Sequence, residues 1–166
     1  MKHILLFLFL ISGISGYSQR SVPFGSDGDK VNKACALVKE YSPEVYNYIT
    51  SRSSIQSFLD SDGEPLSSTN TIQSGNSWIL VGFGSIRERS QYHLAGVIFH
   101  ESIHLLLAEK RMSEGRSGNF SNLSPKEQKQ EEFLIYKMEI DLLVRMNAPR
   151  KEIQEIREWM QPYVSR

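Results

Sequence analysis

The chain has 166 residues, 40% of them hydrophobic, with 19 basic side chains balanced by 19 acidic ones and a single cysteine. A neutral balance with no basic stripe excludes nucleic acid as a partner. One cysteine excludes an intramolecular disulfide, so the fold must rest on its core or on a metal.

Residues 1–18 read as a secretory signal peptide. Lys2 and His3 precede the apolar run Ile4-Leu5-Leu6-Phe7-Leu8-Phe9-Leu10-Ile11, and small and polar residues follow through Ser18. The run is too short to span a bilayer. Gly16 and Ser18 fit cleavage before Gln19, leaving residues 19–166 as one domain with 18 basic and 19 acidic side chains. The expected product is secreted or periplasmic, soluble and free of the membrane. Cys35 lies too far from the signal region to carry a lipid. Its helical spacing with Val31 and Val38 marks it as a small buried residue.

In chain order, residues 29–40 are expected to form a helix capped by Asp29, with Val31, Ala34, Leu37 and Val38 on one face. Ser42-Pro43-Glu44 starts a second, carrying Val45, Tyr46 and Ile49. Residues 61–70, rich in Ser, Asp, Gly and Pro, read as loop. Thr71-Ile72-Gln73, a Ser74-Gly75-Asn76 turn and the apolar segment Ser77 to Phe83 read as a hairpin. Residues 91–111 predict a mostly buried helix, and residues 112–123, rich in Ser, Gly and Asn, a loop that could act as a lid. Ser124-Pro125-Lys126-Glu127 has the capping-box form, so a long helix should run to about Met146, its half from Phe133 onward lying in the core. Pro149 opens a last amphipathic helix with Ile153, Ile156, Trp159 and Met160 inward.

The buried helix contains His100-Glu101-Ser102-Ile103-His104, the HExxH pattern. Residues four apart share a helix face, so both imidazoles can converge on one ion while Glu101, turned aside, reaches a water beside it. Zinc suits such a site. From the His and Glu content, roughly 0.008 matches would arise by chance in a chain of this length. Two histidines and a glutamate inside an otherwise apolar helix would be costly without partners, and a metal supplies them. No histidine follows His104, so a third ligand must be a carboxylate. Glu109 and Glu114 follow too closely, whereas the next long helix offers Glu131, Glu132, Glu139 and Asp141.

HExxH followed by a glutamate on a second helix resembles the gluzincin branch of the zincin metallopeptidases. In several of those families the third ligand opens a Glu-x-x-Ala-[Asp/Tyr]-like stretch, which Glu132-Phe133-Leu134-Ile135-Tyr136 matches with Ile135 in place of the small residue. The resemblance covers roughly residues 78–146 and implies His100, His104 and Glu132 as zinc ligands, with Glu131 and Glu139 as alternatives to Glu132. It implies Glu101 as general base. Glu139 could instead hold a ligating histidine from behind, and Tyr136 could do the same, orient substrate or simply fill the core. The resemblance also gives Trp78 to Gly84 the role of an edge strand alongside a peptide substrate. His93 reads as a surface or supporting residue, and Arg87 and Arg89 as partners for an acidic substrate group or for solvent.

The expected fold is α+β and zincin-like, mostly helical with a small β-sheet or hairpin packed on the HExxH helix. The expected function is a secreted zinc metallopeptidase acting on peptide or protein substrates. The alternative is a non-catalytic binding or inhibitory module with a zincin-like fold and structural zinc. An all-helical envelope protein without metal is the third reading.

Overall fold

The computed structural model describes residues 25–58, 67–71, 77–82, 86 and 88–164. The signal-peptide reading of residues 1–18, the turn at 74–76, Gly84 and Arg87 lie outside them.

Helix α1, Gly25–Tyr41, buries Val31, Ala34 and Val38 on one face, with Cys35 and Leu37 partly buried beside them. It starts four residues before Asp29, which is therefore a side chain of the helix and not its cap. At Ser42 the chain turns without losing backbone pairing. The Ser42 N–H donates to the Val38 carbonyl and the Ser42 carbonyl accepts from Tyr46, while the buried hydroxyl donates to Glu44 at 2.7 Å. Helix α2, Pro43–Arg52, follows and buries Val45 and Ile49.

Three short strands come next: β1, Ser53–Phe58; β2, Ser67–Thr71; and β3, Ser77–Gly82. Their order is β1-β3-β2, with β1 parallel and β2 antiparallel to β3. Residues 67–70 were expected in a loop from their composition. Pairing along β3 draws them into β2, since neighbours decide strand formation more than intrinsic preference does. The expected edge role of Trp78 to Gly84 is also corrected. Strand β3 is the central strand, and its backbone groups are engaged on both sides, so no peptide can add to it.

Helix α3, Gln91–Ser113, is capped by the Ser90 side chain, which accepts from the Tyr92 and His93 N–H groups. It ends before Gly115, whose φ of 74° is a conformation that glycine takes without a steric penalty. A 3-10 turn, Phe120–Asn122, interrupts the following loop. Helix α4, Pro125–Arg145, carries the expected capping box: Glu127 N–H donates to the Ser124 hydroxyl, and the Glu127 carboxylate accepts from Ser124 N–H. Helix α5, Arg150–Met160, and a 3-10 turn, Gln161–Tyr163, close the chain.

The α+β expectation is overturned. Among the described residues the helices run to 17, 10, 23, 21 and 11 residues against strands of 6, 5 and 6. The described part of the protein is mostly helical. Its hydrophobic core forms where α3 meets α1, α2 and α4, with Ile79 and Val81 of β3 joining it, and β2 and β3 also pack on α3.

Two further corrections concern the outer faces. The second half of α4 is not buried all round: Ile135, Leu142 and Leu143 face the core, while Leu134 and Val144 are each 48% exposed. In α5, Ile156 is fully buried, but Trp159 is 39% exposed with the Arg89 guanidinium over its ring. A single helix flank meets the core in each case, and apolar residues beyond it remain at the surface.

Burial pushes the Cys35 thiol up to about 11. Because the thiolate is the reactive form, native protein at pH 8 is expected to react with iodoacetamide about 100-fold or more slowly than denatured protein. Equal rates in the two states would contradict this.

Candidate metal centre

Two rings of α3 face one carboxylate of α4. His100 and His104 lie one helical turn apart with ring centroids 5.1 Å from each other. The Nε2 atom of His100 is 3.4 Å from Glu132 Oε2, and that of His104 is 3.3 Å from Glu132 Oε1. One ligand atom from each of the three residues falls within 4.8 Å of the others. Ser102, between the histidines in sequence, sends its buried hydroxyl back to the Ile98 carbonyl and takes no part.

Each imidazole is fixed from behind by its own carboxylate. His100 Nδ1 is 2.9 Å from Glu139 Oε2, and His104 Nδ1 is 2.9 Å from Glu131 Oε1. Glu131 is held in turn by Arg111, whose guanidinium also donates to the Gly118 carbonyl at 3.0 Å. The three candidate carboxylates thus separate by geometry: Glu132 faces both Nε2 atoms, and Glu131 and Glu139 each face one Nδ1. A carboxylate on Nδ1 fixes the tautomer that leaves Nε2 free to bind a metal. Two imidazole nitrogens and one carboxylate are a donor set that zinc takes in three-ligand sites, so the residues fit that ion.

The electrostatics follow from this packing. Burial works against charge on Glu132, but hydrogen bonds with His100 and His104 outweigh it and hold the carboxyl down at about 2. Burial likewise disfavours the His100 imidazolium, yet hydrogen bonding to Glu132 and Glu139 pushes it up to about 10. His104 is raised in the same way, burial being outweighed by Glu131 and Glu132. Burial raises Glu101, opposed by the two histidines.

Without metal, the site is therefore a cage of imidazolium and carboxylate, and a metal must displace protons from it. Zinc binding at pH 6 is expected to release about two protons, read from the buffer dependence of the calorimetric enthalpy. Release of none would contradict the arrangement. The sign for folding follows from the raised His100: metal-free protein has this contribution in full below about pH 6.5 and loses it as pH rises through about 10.

Aromatic rings surround the cluster. Tyr136, one turn after Glu132, stands edge-on to His100 at 4.7 Å between centroids, and burial and the nearby Glu132 raise its hydroxyl well above the usual range. Phe120, from the 3-10 turn after α3, stands edge-on to His104 at 5.1 Å, and Tyr163, from the last turn of the chain, lies 5.6 Å from Tyr136. Sequence reasoning missed Phe120, Tyr163 and Arg111. Only Arg111 left a signal, since it follows His104 by seven residues and so shares its helix face. The two aromatic residues reach the site through loops and carry no periodicity.

Other expected site residues lie elsewhere. His93 is no surface residue: it is 4% exposed and packs edge-on against Trp159 at 5.5 Å. Burial lowers its pKa, and no hydrogen-bond partner meets its Nδ1 among the described residues. Arg89 pairs with Glu155 at 2.6 Å, so its charge is already engaged. No described helix is long and apolar enough to cross a membrane.

Comparison with protein families, with curated proteins and with solved structures finds no match to this chain.

Proposed function

We propose that the protein is a zinc-dependent metallopeptidase, exported by residues 1–18, that hydrolyses peptide bonds in peptides or proteins. The observation that carries this reading is the convergence of His100 Nε2, His104 Nε2 and the Glu132 carboxylate, with each Nδ1 atom engaged by a further carboxylate of α4. Glu101, next to His100 on the same helix, is not one of the three clustered residues, and we assign it the proton transfer.

Zinc held by His100, His104 and Glu132 would supply Lewis acidity, lowering the pKa of water to about 7 and polarising a carbonyl. Glu101 takes the proton of the attacking water and returns it to the departing amine. Burial, by raising its pKa toward neutrality, suits it to both steps. Glu139 and Glu131 keep the two imidazoles in their tautomers and orientations. Phe120 and Tyr136 stand edge-on against the two rings.

A module stapled by structural zinc needs a closed site of four protein ligands. The described residues gather three, which favours a position left for substrate. The test is hydrolysis of a mixed peptide library by the purified chain with zinc. Cleavage abolished by a chelator and restored by zinc is expected. A zinc-loaded, folded chain that cleaves no member, although the library samples all residue pairs, would favour the non-catalytic module.

A further inference from the structure

Helix α3 has one glycine, Gly96, buried one turn before His100. Glycine weakens a helix interior relative to alanine because it has more backbone freedom to lose. Its backbone here is not left-handed, so conformation does not call for it. Space does. A Cβ at this position would lie 2.7 Å from Glu139 Oε1 and 3.4 Å from both Glu139 Cγ and Leu143 Cδ2. Glu139 is 2% exposed, and its other oxygen is the one that meets His100 Nδ1. Its carboxylate thus lies along one turn of α3, with Oε1 over Gly96 and Oε2 against His100. A Cβ here would make the carboxylate shift, and because its Oε2 is tied to His100 the shift would be felt at that contact.

We propose that Gly96 is a positioning residue for the site: the side chain it lacks is the space that seats Glu139 against α3 and lets it fix the His100 ring. The consequence for zinc affinity rests on the metallopeptidase reading. The packing of Gly96 against Glu139 does not. An ordinary core glycine would affect stability alone, whereas this one should couple specifically to Glu139 and to metal binding.

The experiment is a double-mutant cycle of Gly96→Ala and Glu139→Ala in the full chain. It reads Tm in chelator and zinc affinity by competition with a chromophoric chelator. In the native background Gly96→Ala should lower Tm. In the Glu139→Ala background the obstructing carboxylate is gone, so the same change should raise Tm by about 2–4 °C through alanine's better helix preference. Gly96→Ala and Glu139→Ala should each weaken zinc binding by about 10–100-fold, with the double variant no weaker than Glu139→Ala alone.

Equal Tm shifts in both backgrounds, or native zinc affinity in folded Gly96→Ala, would overturn the proposal. If Gly96→Ala does not fold, the double variant decides: folded and more stable than Glu139→Ala supports the proposal, unfolded refutes it. A native chain that takes up no zinc would refute the metal reading, while the two Tm comparisons would still decide whether Gly96 makes room for Glu139.

Discussion

Replacing Glu101 with glutamine is expected to leave zinc bound and to lower kcat for peptide hydrolysis by about two to four orders of magnitude. Glutamine keeps the size and much of the hydrogen-bonding capacity of the side chain but cannot accept a proton from water. Glu101 is not one of the three residues whose donor atoms converge, so metal content should not change. A loss confined to kcat, with zinc stoichiometry and Tm preserved, is the signature of a general base. Undiminished hydrolysis by Glu101→Gln would sink the mechanism. Loss of zinc in that variant would instead make Glu101 a ligand and contradict the geometry.

The second large effect concerns Glu132. Changing a carboxylate that merely supports a ligating histidine typically weakens metal binding by about 10–100-fold. Glu132 faces the Nε2 atoms of both histidines, so Glu132→Ala should exceed that range, with affinity falling more than about 100-fold. Glu131→Ala should stay within it, because Glu131 meets only the Nδ1 of His104. Competition titrations on the two variants give the ranking directly. If Glu131→Ala proved the more damaging, the third ligand would be misassigned. Stability responds differently. In metal-free protein, removing Glu132 takes one partner from the buried His100 ring and from the largely covered His104 ring, which their neutral forms relieve at higher pH.

Much of the site can be read in the sequence, because helical spacing converts directly into geometry. The four-residue step from His100 to His104 puts both rings on one face, and the capping box at Ser124 fixes where α4 begins. Periodicity on α4 narrows the choice to a few acids but cannot say which of Glu131, Glu132 and Glu139 faces which nitrogen. That depends on how α4 is rotated and tilted against α3, and rotation is set by side-chain packing, with Ile135, Leu142 and Leu143 turned to the core.

Phe120 and Tyr163 are opaque in sequence for a related reason. They arrive on short turns whose course is determined by tertiary contacts, such as the Arg111 bond to the Gly118 carbonyl. The fold class misled because the apolar segment Ser77 to Gly82 signals a strand without revealing how short the sheet is beside helices of up to 23 residues. Composition also hid β2, whose Ser, Thr and Asn residues suit a loop until β3 pairs with them. The role of Gly96 is equally invisible in one dimension, since its neighbour Glu139 is 43 residues away.

The account stands or falls on whether the three donor atoms take a metal. The decisive measurement is zinc content per chain in protein purified without chelator and without a histidine tag, with His100→Ala and His104→Ala alongside. One tightly held zinc per native chain, lost from both variants, is the predicted result. A folded chain that holds none, even after zinc is supplied, would contradict it and leave a helical protein whose histidines and glutamates serve only its core.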